Sequence, residues 1–480
     1  MPDAPPAVVW FRGDLRLRDQ PALAAAATAG GPVALLYVLD DDAPGRWAMG
    51  GASRWWLHHS LAALARNLAA GGTPLCLRRG RSAEVVAAFA RDAGAATVHA
   101  IRQTEPFWRP VEDALARRLA ELGIGLHLHA GATLFPTSSI VGRDGGRLRV
   151  FTPFWRACRA APPPPPPLPA PDRLRPLPSP PPGEALDDWR LLPTTPDWAQ
   201  GLRESWQPGE AGALARLAAF VDADLRHYRR DRDRPEPAIT SHLSPHLHFG
   251  EVSPRQVWHA VGTRMEAAPG EDAAGEAFLR EVGWREFNID VLDRHPELPD
   301  QPLQRKFAAF PWAAGRQALR AWQRGRTGYP LVDAGMRQLW HTGWMHNRIR
   351  MVAASFLVKH LLIPWQDGEA WFWDTLVDAD LANNAGGWQW VAGCGTDAAP
   401  FFRIFNPVLQ GEKFDPRGAY IRRWVPELAG LPDRWIHKPW QATALELAAA
   451  GVRLGADYPK PIVDHGVARA RALAAFAGLT

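Results

Sequence analysis

From residue 8 to about residue 135 the chain alternates between two hydrophobic periods. Short apolar runs, VVWF, VALLYVLD (33–40), PLCLR (74–78), ATVHAI (96–101) and GLHLHA (125–130), predict buried strands. Between them, stretches at about 21–29, 53–70, 82–93 and 107–122 carry the longer helical period. Gly30-Gly31, Gly71-Gly72, Gly94 and Gly123 stand where those helices must stop. Strands alternating with helices predict a doubly wound α/β domain on a parallel sheet, residues 1–135. No G-x-G-x-x-G follows the first strand, which argues against a dinucleotide-binding enzyme of the Rossmann type.

The pattern then breaks. Thirteen of the 21 residues from Pro162 to Pro182 are proline, which excludes helix and predicts an extended polyproline spacer within a linker at 136–200. A ligand for a proline-binding partner is the sharper reading of the same run. Beyond residue 200 the strand-like alternation disappears, and helical periodicity broken by Gly and Pro predicts an all-helical domain, 201–480. The expected fold is therefore α/β plus all-α, with no internal repeat.

Hydrophobic content of 46% and charged content of 22% are ordinary for a globular chain; 23 tryptophans and 46 prolines are not. Any one tryptophan is most simply a core residue, but the excess leaves electron transfer or base stacking open. A net charge of +5 fits a polyanionic partner, although arginine richness also follows from coding bias. Locally, Arg226–Arg234 (RHYRRDRDR) sets five arginines against two aspartates, either a basic patch or a self-neutralised helix end. Three widely spaced cysteines, Cys76, Cys158 and Cys394, give no disulfide framework and no standard zinc pattern, so no metal is expected. MPDAPPAVVW has no signal-peptide character and no apolar run reaches membrane length. A cytoplasmic, reduced, monomeric protein is expected.

Two stretches carry the chemistry: DADLANNAGGWQWVAGCGTDAAPFFRIFNP (378–407) and GYPLVDAGMRQLWHTGWMHNRIRMVAASFL (328–357). Buried Asn and Asp cost a few kcal/mol each unless hydrogen-bonded, so this mixture of amides, carboxylates and tryptophans suggests a large polar ligand among aromatics. Gly386 and Gly387 would admit a flat ring system close to the backbone. Together with VVWFRGDLRLRDQPALAAA, VFTPFWRA (150–157), TSHLSPHLHFGEVSPRQVW (240–258) and FLREVGWREF (278–287), these segments resemble the photolyase and cryptochrome family. The matches run in order from residue 8 to about 465, and the resemblance is closest to the class I cyclobutane pyrimidine dimer photolyases.

The resemblance implies FAD as cofactor, folded back on itself and acting as a light-driven electron donor to UV-damaged DNA. It implies that Thr240, Ser241, His242, Leu243 and Ser244, with Tyr228 upstream, hold the phosphates. In the residues themselves, hydroxyls ahead of a proline-initiated helix fit a pyrophosphate, although a serine N-cap explains them as well. His242 departs from the Arg that relatives often carry. The resemblance also places Asp378 and Asp380 beside flavin ring and ribose, with Arg350 opposite Asp378 as a buried ion pair; either charge alone in a dry pocket would be costly. Arg285 belongs to the same cofactor set. Asn384 matches the residue facing flavin N5, where plant cryptochromes carry Asp and animal ones Cys. The resemblance also implies an electron relay through Trp388, Trp365 and Trp312, for which spacing offers no support of its own.

On the substrate side, Glu281 and Trp284 lie three positions apart, on one helix face. By resemblance the glutamate hydrogen-bonds the lesion and the tryptophan stacks on it, completed by Asn347 and Met351. Six-four photolyases carry histidines at the last two positions, and Asn and Met cannot transfer protons. Arg232, Arg285, Arg348, Arg403 and Lys413 are candidate phosphate contacts, which position a duplex without reading its sequence. The antenna site is matched only at Glu105 in AIRQTEPFW (100–108), with Ile101 where Asn is expected, so methenyltetrahydrofolate, a deazaflavin, another flavin or no second chromophore remain open. The leading reading is light-dependent splitting of cyclobutane dimers in DNA. The alternatives are a blue-light cryptochrome, opposed by Asn384 and by a chain running no further than Thr480, and a six-four photolyase.

Overall fold

The structure is a computed structural model that describes residues 4–236 and 239–479. Contacts divide the chain into two compact units. The first comprises residues up to Ala199 together with Trp206–Arg226 and Ser241–Arg294; the second comprises Gln200–Ser205, His227–Thr240 and the chain from His295 onward.

In the first unit, all five expected strands form: β1 (Ala7–Phe11), β2 (Val33–Leu39), β3 (Leu75–Arg79), β4 (Thr97–Ile101) and β5 (Gly125–His129). Between them run α1 (Pro21–Thr28), α2 (Gly51–Ala70), α3 (Ser82–Asp92) and α4 (Trp108–Glu121). The sheet is wholly parallel in the order β3-β2-β1-β4-β5, with Val9 facing Leu35 on one side and His99 on the other. β1 and β2 are buried throughout, as apolar strands covered on both faces must be. β5 departs from the expected burial. It pairs with β4 alone and is half-exposed along its length. Its His127 and His129 stack on His99 of β4 at 4.9 and 5.3 Å, and burial with those neighbours lowers His99 to about 4.

Strand order reverses between β1 and β4, where open α/β sheets usually bind ligands at the strand carboxyl ends. Here Arg12, leaving β1, enters that crevice. Its guanidinium donates to Glu112 at 2.8 Å and to the Ile101 carbonyl, and lies over the Trp10 and Trp108 rings. A buried ion pair thus lies at the carboxyl ends of these two strands.

The expected linker needs correction. Residues 136–200 include a helix, Phe151–Ala160, and the polyproline run is no bare spacer. It is stitched to the sheet by Asp19 N–H to the Leu168 carbonyl (2.8 Å), Val33 N–H to Arg175 (2.7 Å) and Leu177 N–H back to Val33 (3.1 Å). Exposure drops at Pro164, Pro167 and Ala170, then at Leu174, Leu177 and Pro180, the three-residue turn of polyproline II with one edge against the body. Contacts also divide the chain elsewhere than at residue 201, because helices between 206 and 294 are locked to the α/β part. Arg16 donates to the Gly250 carbonyl at 2.9 Å, Arg255 pairs with Asp19 at 2.6 Å, and Trp56 Nε1 donates to Glu251 at 2.9 Å.

The second unit has no strand among its described residues. Its helices begin and end by familiar chemistry: Pro330–Thr342 opens on proline and stops at Gly343 (φ 66°), and Leu381–Ala392 is capped by Asp380 and stops at Gly393 (φ 83°). A core of Trp322, Tyr329, Ile349, Phe356, Trp365, Phe372, Trp388, Tyr420 and Tyr458 fills the space between them.

Candidate functional site

In the second unit, the two chemistry-bearing stretches meet. Arg350, on helix Asn347–Ser355, pairs with Asp378 at 2.7 Å, and the carboxylate is almost fully buried. Two residues on, Asp380 accepts the Asn383 N–H at 2.8 Å, so it fixes the start of helix Leu381–Ala392. One turn into that helix, Asn384 is buried and its Nδ2 donates to the Glu369 carbonyl at 3.0 Å. A Cβ built on Gly387 meets no atom within 4 Å. Tyr228 is buried, and the Thr240 hydroxyl is buried with no hydrogen-bond partner among the described residues. An orphaned hydroxyl, a buried amide, a paired carboxylate and room above a glycine fit a large polar ring system with a phosphate tail. Asp378, Asp380, Arg350, Asn384, Tyr228 and Thr240 would hold it.

The phosphate segment differs from expectation in detail. The helix opening at Ser244 runs only five residues, to His248, so it lacks the length to build a strong macrodipole. Its cap position is Leu243, and Ser241 Oγ accepts the Leu243 N–H only at 3.4 Å. The backbone turns instead at His242, whose φ is +52°, and whose ring meets Trp206 at 5.9 Å. A left-handed residue beside successive N–H groups makes an anion-binding concavity without a long helix.

Of the expected relay, Trp388 and Trp365 lie in one buried core and Trp312 packs on its margin. The rings against Trp388 are Phe372 at 5.0 Å and Trp322 at 6.1 Å, and Trp312 lies 4.3 Å from Phe310. Trp322 and Phe372 carry no local sequence signal, and the sequence reading missed them.

Glu281 and Trp284 sit on helix Asp272–Arg294 of the first unit, both half-buried. Trp284 stacks on Phe151 with ring centroids 3.8 Å apart and planes within 9°. Asn347 and Met351, in the second unit, lie one turn apart on one helix, with Nδ2 4.0 Å from the sulfur.

The basic residues divide. Arg348 and Lys413 flank the Phe414 ring at 4.6 and 5.0 Å; Arg348 also pairs with Asp233 at 2.8 Å, and Arg232 lies over Tyr228. Arg403 is exposed, its carbonyl accepting from Lys359 at 2.9 Å. Arg285, expected at phosphate and cofactor, also has protein partners. Its guanidinium is engaged inside the first unit, with Glu286 at 3.1 Å and the Ala132 carbonyl at 3.0 Å. Glu105 is half-buried in the loop after β4. Among the described residues no cluster of His, Cys, Asp and Glu is placed to hold a metal, and no helix is long and apolar enough to cross a membrane. All three cysteines are free and buried.

These features find close counterparts in known proteins. Residues 7–172 match the family model described as DNA photolyase, and residues 278–478 match the one described as the FAD binding domain of DNA photolyase. A deoxyribodipyrimidine photo-lyase of Agrobacterium fabrum is 48% identical over 474 residues, covering 99% of this chain and 98% of its own. Cryptochrome-1 of Arabidopsis thaliana is 40% identical over 476 residues, 97% of this chain and 69% of its own. A crystal structure of a bacterial class III photolyase from Agrobacterium tumefaciens superposes with a TM-score of 0.96 at 48% identity, covering 100% of this chain and 98% of that one. The chain belongs to the photolyase and cryptochrome family. It carries that family's FAD-binding domain.

Proposed function

We propose that this protein repairs UV-damaged DNA in the light, splitting cyclobutane pyrimidine dimers as a deoxyribodipyrimidine photo-lyase. One observation carries the reading: 48% identity to a deoxyribodipyrimidine photo-lyase along 99% of the chain. Residue types support it: Glu281, Trp284, Asn347 and Met351 are all of the types expected for dimers.

Bound FAD would supply an electron on excitation by light. The chain's own residues hold and orient. Arg350 neutralises Asp378, so no bare charge is left buried. The Asn384 amide, anchored on the Glu369 carbonyl, offers a hydrogen bond without a titratable proton. Trp284 offers an aromatic face to an extruded base, Glu281 a carboxylate to its edge, and Arg232, Arg348, Arg403 and Lys413 hold the backbone. Trp388, Trp365 and Trp312 would carry electrons inward by short hops.

The 40% identity to a plant cryptochrome favours a second reading, a blue-light receptor; Asn384 speaks for repair. Within the photolyases, the likeness to a class III structure supports class III over the class I placement expected from sequence. A second chromophore near Glu105 belongs to the same proposal. The test is illumination of the purified flavoprotein, with its flavin reduced, on DNA carrying a thymine dimer. Loss of the dimer is expected; persistence under blue light, with flavin bound, would leave the receptor and six-four readings.

A further inference from the structure

Phe151 opens helix Phe151–Ala160, and Trp284 lies midway along helix Asp272–Arg294. Gly283 brings the two helices together, since a Cβ there would stand 2.3 Å from the Trp155 ring. The approach lets Phe151 lie face to face with Trp284, centroids 3.8 Å apart and planes 9° off parallel. Phe287 meets the Phe151 ring nearly edge-on at 5.8 Å, and the Arg280 guanidinium lies over it at 4.9 Å. Phe151 is 0% exposed, whereas Trp284 is half-buried. One face of the indole is therefore covered by Phe151, and Phe287 meets the ring nearly edge-on at 5.7 Å.

We infer that Phe151 is a positioning residue for lesion recognition, fixing the Trp284 ring so that its outer face stands ready as a platform for the extruded pyrimidine dimer. The inference rests on the proposed lesion-binding role of Trp284. An indole held by an edge alone can rotate, and that freedom is lost when a base stacks on it; a ring clamped in advance has less to lose. Nothing in the sequence marked Phe151 for this role, because the partners stand 133 positions apart.

The test measures dark binding of the FAD-loaded enzyme to an oligonucleotide with one thymine dimer, and to the same oligonucleotide undamaged. Phe151→Leu is expected to weaken dimer binding about 3- to 10-fold, the range of a lost aromatic pair, with flavin content and undamaged-DNA binding unchanged. The same substitution on a Trp284→Ala background should have no further effect on dimer binding, because Phe151 acts through that ring. Equal losses on both backgrounds, or none on either, would overturn the inference. If Trp284→Ala alone leaves dimer binding intact, the lesion-pocket reading itself falls. Phe151→Met serves where Phe151→Leu fails to fold; if neither folds as a flavoprotein, Phe151 is a core residue and the inference is overturned.

Discussion

A single nitrogen of Arg350, Nη2, reaches both carboxylate oxygens of Asp378, at 3.0 and 2.7 Å, while Nε donates to the Met345 carbonyl at 2.7 Å. The arginine thus ties helix Asn347–Ser355 to the turn before helix Leu381–Ala392. The Asp378 side chain is 4% exposed and that of Arg350 24%.

Removing only the cation strands a buried carboxylate, which costs about 3–5 kcal/mol in general. Partial exposure of Arg350 puts Arg350→Met at the lower end, and Asp378→Asn, which keeps an acceptor, should cost about 1–2 kcal/mol. Urea unfolding gives the stabilities, and the flavin-to-protein absorbance ratio gives cofactor retention. Equal losses from the two variants would mean that charge pairing is not what holds this turn.

Gly368 is where helix Trp365–Thr375 meets the proposed inner member of the relay: a Cβ there would lie 2.1 Å from Trp388 Cη2 and 2.6 Å from Leu357 Cδ2. Gly368→Ala should therefore displace the indole and destabilise by about 1–3 kcal/mol. Trp388→Phe keeps an aromatic ring there but leaves a cavity. On the proposed relay, Trp388→Phe abolishes light-driven reduction of oxidised flavin yet leaves dimer repair intact once the flavin is reduced chemically. Normal photoreduction in that variant would move the relay to other tryptophans.

How far the sequence reaches depends on the range of the physics. Strands such as VALLYVLD and stops such as Gly94 are local, and every element from β1 to β5 formed within a few residues of its expected place. The Asp378–Arg350 pair was legible only through family resemblance, because 28 residues separate its members. Contacts set by packing alone were invisible: Phe151 on Trp284, and Trp322 on Trp388. The polyproline run was readable as extended but not as docked, since docking is decided by carbonyls reaching Asp19 and Val33. Arg285 shows the same limit: nothing local announced that Glu286 and the Ala132 carbonyl engage its guanidinium.

That engagement predicts how binding responds to salt. Each lysine or arginine that neutralises a phosphate adds close to one unit to the slope of log K against log salt. Lys413→Ala should lower that slope by about 1 on damaged and undamaged DNA alike. Arg285→Ala should leave the slope unchanged while lowering stability. Asp233 competes for Arg348 at 2.8 Å, so Asp233→Asn should tighten binding at low salt. Titrations between about 50 and 200 mM salt separate these outcomes, and an effect of Arg285→Ala equal to that of Lys413→Ala would return Arg285 to the interface.

Lys359 gives the protein a pH dependence of its own. Its side chain is 1% exposed, with Nζ donating to the Arg403 carbonyl at 2.9 Å and lying 5.1 Å from the Phe401 ring centre. Burial, reinforced by the Arg403 charge, lowers its pKa from 10.5 to about 7. The unfolded chain therefore holds this proton up to about pH 10.4, where the folded protein has already released it. A folded pKa below the unfolded one destabilises fully at pH values under 7, and the burden lifts as pH rises from there toward 10.4. Lys359→Met removes the burden and nearly preserves volume. Relative to wild type it should gain most below pH 7, at most about 5 kcal/mol before the lost carbonyl and ring contacts are subtracted, and its advantage should shrink by about 1.4 kcal/mol per unit above pH 7. Paired urea unfolding of the two proteins at pH 6, 7.5 and 9 isolates the effect, because every other titrating group is common to both. A stability difference that stays constant across those three values would mean that Lys359 keeps its charge in the folded protein.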